Sequence, residues 1–135
     1  MMIEITGNKT IGEIRKEFAQ QFSFLNLEFY DETHNVQETS NQKHLYPHDK
    51  KISDISKRHN SGIIEISPED KTGIIEQKFR HQFGLNVQVF RHHGNQWIQT
   101  AGTDELTLNE QNEIRRMASE SMHIPERRIE NEKML

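Results

Sequence analysis

The chain has 135 residues, of which 32% are hydrophobic and 28% are charged, and its formal net charge is −4 at pH 7. This length suits one domain or two very small ones, and the mild acidity gives no general attraction to nucleic acid or to an anionic membrane. The absence of Cys excludes disulfides, thiolate nucleophiles and Cys-based zinc sites. Because we find neither a signal-peptide pattern nor a long apolar run, we expect a cytoplasmic protein with no membrane partner.

The first thirty residues have the pattern of a strand, a helix and a second strand. Residues 3–6 alternate apolar and polar side chains, as half-buried strands do. Thr10 and Glu13 form a capping box, the signature of a helix N-terminus. The apolar stripe of that helix is Ile11, Ile14, Phe18 and Phe22. Residues 25–30 alternate again and predict the second strand.

The same pattern returns about 61 residues later. Ile3-Glu4-Ile5-Thr6 recurs as Ile64-Glu65-Ile66-Ser67, and after a one-residue contraction residues 25–30 recur as residues 85–90. A period near 60 residues is too long for a solenoid repeat and suits duplication of a supersecondary unit. We therefore predict an internal duplication. Its parts are a first β-α-β copy (1–30), a polar connector with one short apolar pair at Ile52 and Ile55 (31–60), and a second β-α-β copy (61–91).

Two local signals bound the helix of the second copy. Ser67 followed by Pro68 predicts its N-terminus, because a capping hydroxyl and a proline at the first helical position favour a helix start. Gly84 predicts its end, since glycine adopts the left-handed conformation that often follows a helix. The second helix is thus expected to begin just after Ser67.

An extra strand, a helix and a charged tail are predicted over residues 92–135. His93-Gly94-Asn95 predicts a turn into a strand at 96–100, which holds Trp97, expected at the edge of the core or as an interface anchor. Thr107 and Glu110 form another capping box. The helix that follows has the apolar positions Ile114, Met117, Ala118 and Met122. We expect this helix to dock on the body of the protein or on another chain, and the tail 126–135 to be loosely held.

Two β-α-β units in one domain predict an α+β fold with a ferredoxin-like antiparallel sheet, both helices on one face, and an additional C-terminal helix. The alternative is a pair of tandem β-grasp-like halves, in which strand 63–66 closes one unit and opens the next. The repeat by itself is compatible with both topologies.

Two segments of the second half resemble a family of small uncharacterised bacterial proteins with duplicated strand–helix–strand halves. They are Phe83-Gly84-Leu85-Asn86-Val87-Gln88-Val89 and the segment from Asp104 to Glu110. The resemblance rests on packing motifs. It implies the duplicated fold and implies no activity.

The polar positions of the strands form the main candidate binding site. Apolar strand residues are expected to face the helices, so the residues between them line the opposite sheet face. In the first copy these are Glu4, Asn26, Glu28 and Tyr30, and in the second copy Glu65, Asn86, Gln88 and Phe90. In a ferredoxin-like order the first strands of the two copies are neighbours. Glu4 and Glu65 are then expected close together, where they would hold a cation or a basic partner.

Other chemistry finds little support in the sequence. A metal hypothesis could rest on five histidines and one aspartate: His44, His48 with Asp49, His81, and the pair His92 and His93. The sequence contains no HExxH motif and no i, i+4 histidine pair on a predicted helix, so no metal ligands are assigned. No nucleophile elbow, phosphate loop or dinucleotide fingerprint occurs, so no catalytic residue and no cofactor is assigned. RNA recognition on a sheet needs exposed aromatic residues, whereas the predicted central strands carry Glu4 and Glu65, so a nucleic-acid partner is disfavoured.

These observations favour a non-catalytic binding or protein-interaction module that binds a protein partner or forms a homodimer. Two alternatives stay open. The first is a metal-binding or small-ligand-binding protein, or an enzyme, that uses Glu4 and Glu65. The second is a nucleic-acid binder.

Overall fold

A computed structural model describes residues 1–31, 44–56, 58, 61–93 and 95–114. In chain order the elements are β1 Met2–Ile5, α1 Ile11–Gln21, β2 Leu25–Tyr30, α2 Ile52–Ile55, β3 Gly62–Glu65, α3 Thr72–Phe83, β4 Asn86–His93, β5 Gln96–Gln99 and the 3-10 turn Ala101–Thr103. A fourth helix, α4, begins at residue 108 and is described as far as residue 114. The predicted α+β class is confirmed. The predicted apolar positions Met117, Ala118 and Met122 and the predicted tail lie outside the described residues.

The strands form two antiparallel sheets. β1 pairs with β3, and β2, β4 and β5 form a three-stranded sheet in the order β2-β4-β5. The neighbouring positions of β1 and β3 agree with a ferredoxin-like order, but β2 and β4 pair with each other instead of lying at opposite edges of one four-stranded sheet. β1 and β3 are only four residues long, and the apolar faces of both sheets contribute to one core. The core therefore lies between two short sheets and the helices.

Equivalent positions of the sequence repeat face each other in both sheets. Ile3 lies opposite Ile64 in the β1–β3 pair. Glu28 lies opposite Gln88 in the β2–β4 pair. In each of these two strand pairs, residues that the repeat aligns with one another are therefore cross-strand neighbours.

The core is one cluster of aliphatic and aromatic side chains drawn from every long element. It contains the predicted stripes of α1 and α3 and the inner strand positions, including Ile3, Ile14, Phe18, Leu27, Ile64, Ile75, Phe79 and Val87, and it also contains Leu108 at the start of α4. Phe29 of β2 meets Phe79 of α3 edge to face, with ring centroids 5.9 Å apart. This contact shows that α3 packs on the Leu27 and Phe29 side of the three-stranded sheet. Burial of each such side chain stabilises the fold by about 1.5–3 kcal/mol.

Local signals set the ends of the two long helices, with one exception. The capping box of Thr10 and Glu13 is present at α1, and Gly84 ends α3 in the left-handed conformation at φ 66°. The predicted start at Ser67 is wrong, because α3 begins at Thr72. The Ser67 N–H instead donates to Oδ2 of Asp70 at 2.8 Å, and this bond closes a separate turn before the helix.

The N-termini of α1 and α3 are held by the same scheme of backbone hydrogen bonds. In each half, a segment after the second strand bonds to the start of the helix and to the loop before it. The bonds are Gly12 N–H to His48 O and Ile52 N–H to Lys9 O in the first half, and Gly73 N–H to Asp104 O and Leu108 N–H to Asp70 O in the second half. The predicted polar connector thus contains a packed part, residues 44–56, with a counterpart around residues 104–109. Its single predicted helical turn is α2.

In the described part of the chain, no helix combines the length and the apolar composition needed to cross a membrane.

Candidate binding site

The six predicted binding residues lie on two different surfaces. Glu4 and Glu65 are on the outer face of the β1–β3 sheet, and Glu28, Gln88, Tyr30 and Phe90 are on the β2–β4–β5 sheet. The expectation of one continuous polar face is therefore not met. The cause is the division of the strands into two sheets, which sequence periodicity does not report.

Glu4 and Glu65 are exposed and lie diagonally across the β1–β3 pair. Glu4 is opposite Ile63, and Glu65 is opposite Met2. Residues in this diagonal relation are roughly 7–8 Å apart, which is beyond the roughly 4–6 Å over which neighbouring charges act strongly on each other. The face between them carries two large exposed apolar side chains, Met2 at 66% and Ile63 at 57% exposure.

Lysine side chains cover the outward carbonyls of these two strands. Lys9 Nζ donates to the carbonyl oxygen of Glu4 at 2.6 Å, and Lys78 Nζ donates to the carbonyl oxygen of Glu65 at 2.8 Å. Lys9 also pairs with Glu17 at 2.6 Å, and Lys78 with Asp70 at 3.5 Å. Lysine at a sheet edge discourages pairing with a further strand. The exposed face, and not the edge, is therefore the accessible part of this sheet.

The second surface is the face of the β2–β4–β5 sheet turned away from the helices. Alternation places Asn26, Glu28 and Tyr30 of β2 on this face, and the register brings Phe90 opposite Asn26 and Trp97 opposite His92. A cavity of about 230 Å³ opens there. We call it the aromatic cavity; its lining residues are Asn26, Glu28, Tyr30, Leu45, Phe90 and Trp97.

An arginine and a histidine hold the Glu28 carboxylate. Arg15 Nη2 lies 3.3 Å from Oε2 of Glu28, and His48 Nε2 lies 2.8 Å from its Oε1. Arg15 Nη1 also meets His48 Nδ1 at 2.9 Å. Because a guanidinium only donates, Nδ1 of His48 must accept, so Nε2 carries the proton and donates to Glu28. This arrangement requires a neutral His48 and fixes the orientation of the carboxylate.

Tyr30 forms the deep wall of the aromatic cavity. Its side chain is 3% exposed, and burial, with a further effect of the nearby Glu28 charge, raises the pKa of Tyr30 to about 12. The phenol is therefore neutral at physiological pH. It can donate or accept a hydrogen bond but cannot serve as a base there.

Gln88 is fully buried beside the cavity. Its amide nitrogen donates to Glu76 Oε2 at 3.1 Å, and the same carboxylate oxygen accepts the Val89 N–H at 2.9 Å. Glu76 of α3 thus bonds to the backbone of β4. In the same way Arg15 of α1 bonds to the backbone of β2, where Arg15 Nε donates to the Leu27 carbonyl at 2.7 Å. Gln88 therefore acts in the described structure as a packed, hydrogen-bonded residue below the surface.

Trp97 gives the aromatic cavity its exposed wall. It is 44% exposed, and its ring lies 4.9 Å from that of His92, centroid to centroid. The sequence placed Trp97 at the core edge or at an interface and did not connect it with Phe90. The predicted turn between the two strands contained that signal, because the register of β4 and β5, with Trp97 opposite His92, brings the two rings to one face. Arg15 and Glu76 gave no comparable signal, since they read as ordinary helix-surface charges.

The histidines of the metal hypothesis have separate partners. His44 pairs with Asp31 at 2.6 Å, His48 with Glu28, and His92 with Trp97. The backbone carbonyl of His81 accepts a hydrogen bond from Arg58. Among the described residues, no three His, Asp or Glu side chains come together as metal ligands would. The side chain of His93 lies outside the described residues.

Comparison of the chain with protein-family models, with curated proteins and with solved structures gives no match. Evidence on function therefore comes from the residues of this chain and their geometry.

Proposed function

We propose that the protein is a non-catalytic binding module and that the aromatic cavity is its binding site. The observation that carries this proposal is the composition of the cavity wall. Aromatic side chains from both halves of the chain, Tyr30, Phe90 and Trp97, surround two polar side chains, Asn26 and Glu28. Small-molecule sites typically combine apolar walls with a few well-placed polar groups.

The state of the ionisable wall residues supports binding over catalysis. Glu28 is engaged by Arg15 and His48, so its carboxylate is already neutralised and oriented. Tyr30, with a pKa of about 12, stays protonated near neutral pH. A general acid or base needs a pKa near the working pH, and the pKa of Tyr30 lies far above it.

The size of the cavity limits the ligand. Pockets for drug-sized ligands usually measure about 300–1,000 Å³, and this one measures about 230 Å³. A single small ring system, or one side chain of a partner protein, fits this volume. A complete nucleotide or a large cofactor is too large to be enclosed in it.

The position of Trp97 provides a direct test, because it is the single Trp of the chain. We expect small ring compounds to shift the indole N–H resonance of Trp97 in a ¹H–¹⁵N spectrum in a saturable manner. Phe90→Ala should abolish these shifts, and Ile63→Ser, on the other sheet, should preserve them. Saturable shifts that survive Phe90→Ala would place binding elsewhere and contradict the proposal.

A second candidate function is a protein contact through the outer face of the β1–β3 sheet. The exposure of Met2 and Ile63 beside Glu4 and Glu65 favours it, since apolar side chains ringed by charges often mark interfaces. Light scattering over a range of concentrations tests the homodimer form of this candidate. A dimer that Ile63→Asp converts to a monomer would support it, and a monomer at every concentration would exclude it.

We also infer that the chain arose by internal duplication. The pairs Lys9–Glu17 and Asp70–Lys78 support this, because their positions are equivalent in the repeat and the charges are exchanged. The recurrent hydrogen bonds at the starts of α1 and α3 support it as well. Membership of the family of small bacterial proteins and a cytoplasmic location stay predictions.

A further inference from the structure

We propose that the guest of the aromatic cavity is a neutral, planar heteroaromatic ring that offers a hydrogen-bond donor at one edge and an acceptor at another. This inference rests on the proposed function and names the ligand class of the same site. Its basis is the pairing of one oriented donor and one oriented acceptor with aromatic surfaces.

Asn26 and Glu28 supply the polar pair. The Oδ1 of Asn26 accepts the Leu27 N–H at 2.9 Å, so the amide nitrogen is the group that this side chain offers to a guest. Glu28 is a pure acceptor, and Arg15 and His48 fix its orientation. Residues i and i+2 of a strand are about 6.8 Å apart on one face, which is close to the width of a fused bicyclic ring.

Phe90 and Trp97 supply the aromatic surfaces. Phe90 lies directly across from Asn26, and Trp97 lies on the same face of the neighbouring strand β5. A flat ring placed against these side chains gains stacking energy, while its edges reach Asn26 and Glu28. Stacking of a ring on an aromatic side chain is a main source of affinity in proteins that bind single-stranded nucleic acids.

The charges around the site favour a neutral guest. The guanidinium of Arg15 balances the Glu28 carboxylate, and the hydrogen bonds of His48 require its neutral form. A cationic guest would compete with Arg15 for the carboxylate. An anionic guest would meet Glu28 with no basic side chain among the lining residues.

A comparison of probes tests the ligand class. Each probe is titrated into the full chain while the Trp97 indole N–H is followed by NMR. The probes are adenine, which has both a donor and acceptors; indole, which has a donor only; quinoline, which has an acceptor only; and tetramethylammonium, an organic cation. We expect adenine to bind about tenfold or more tightly than indole or quinoline, because a buried polar group left without a partner costs affinity.

Asn26→Asp isolates the donor, because it retains an acceptor for the Leu27 N–H and removes the amide nitrogen. We expect adenine to bind at least about tenfold more weakly to this variant. The matched control is Asn86→Asp, the same change at the equivalent position of β4, which does not line the cavity and should change affinity by less than about twofold. Phe90→Leu, a second variant, should weaken all ring probes alike.

The outcomes separate the ligand class from the site. Two results would overturn the ligand class while the binding site stands. One is adenine binding that Asn26→Asp leaves unchanged. The other is tetramethylammonium that binds more tightly than adenine and causes shifts that depend on Phe90. The absence of a saturable Trp97 shift with every probe would overturn both.

Discussion

The carboxylate of Glu76 is predicted to be one of the most stabilising polar groups of the fold. It lies in α3, the residue is 4% exposed, and its Oε2 accepts both the Val89 N–H at 2.9 Å and the Gln88 amide at 3.1 Å. Glu76→Ala removes this acceptor and leaves two donors of β4 without it. Gln88 is fully buried, and its amide nitrogen keeps one other acceptor, the Val89 carbonyl at 3.2 Å.

The expected loss follows from these two donors. A buried donor left without an acceptor costs about 1–3 kcal/mol, which applies to the Val89 N–H, and loss of one of the two acceptors of the Gln88 amide adds about 1 kcal/mol, so we expect a loss of about 2–4 kcal/mol in the free energy of unfolding. Arg15→Ala, at the equivalent position of α1, is the matched control. The side chains of Arg15 and Glu28 are 19% and 18% exposed, so water can replace the bonds of Arg15 to the Leu27 carbonyl and to the Glu28 carboxylate, and we expect a loss of only about 1 kcal/mol.

Urea unfolding followed by circular dichroism and by Trp97 fluorescence measures both losses. Coincident transitions from the two signals support a two-state analysis. If Glu76→Ala costs no more than Arg15→Ala, the hydrogen bonds of Glu76 do not hold the edge of β4, and the reasoning fails. Glu76→Gln, which retains an acceptor, should lose less than Glu76→Ala.

Three further predictions concern Tyr30, the end of α3 and the core. The pKa of Tyr30 is about 12 in the folded state and about 10 in the unfolded state, so its contribution to the free energy of unfolding is complete below pH 10 and disappears as the pH rises to 12. Over this window the wild type should lose about 2–3 kcal/mol more than Tyr30→Phe in pH-dependent urea unfolding, and equal losses would refute the assignment. Gly84→Ala should lower the free energy of unfolding by about 1–2 kcal/mol, because an alanine is strained at the φ of 66° that Gly84 adopts. The control Gly102→Ala, where an added Cβ meets no atom within 4 Å, should change it by less than about 0.5 kcal/mol, and similar losses at both positions would argue against backbone strain at Gly84. Phe79→Ala should cost about 3–5 kcal/mol by the same assay, since the side chain is fully buried against Phe29, and a loss below 1 kcal/mol would place it outside the core.

The features that the sequence predicted well are those that neighbouring residues determine. The capping box at Thr10 and the glycine stop at Gly84 depend on one turn of chain, and both occur as expected. The alternation around Ile3 and Ile64 depends only on the pleat of a strand, and both side chains are fully buried. Such signals are legible because no distant residue alters them.

The division of the strands into two sheets depended on distant contacts. Pairing of β2 with β4 joins residues about 60 positions apart, and periodicity gives the face of each strand without its neighbour. The start of α3 shows a similar limit. The pattern at Ser67 and Pro68 was suitable for a helix start. The first turn begins later because the N–H groups of Thr72 and Gly73 donate hydrogen bonds to the carbonyls of residues 106 and 104.

The candidate site was predicted in part. Glu28, Tyr30 and Phe90 were selected by strand alternation, and all three line the aromatic cavity. Trp97 and Leu45 join them only through strand and bridge pairings of β4 and β2. Composition and spacing could not reveal those contacts, because they arise from the tertiary register.

The most direct test of the proposed binding module is a crystal structure of the full chain soaked with small ring compounds, adenine among them. We predict electron density for a bound ring in the aromatic cavity, against Phe90 and Trp97, with its polar edges toward Asn26 and Glu28. Bound rings found only at other surfaces, such as the Met2 and Ile63 face, with the aromatic cavity accessible to solvent but empty, would contradict the proposal.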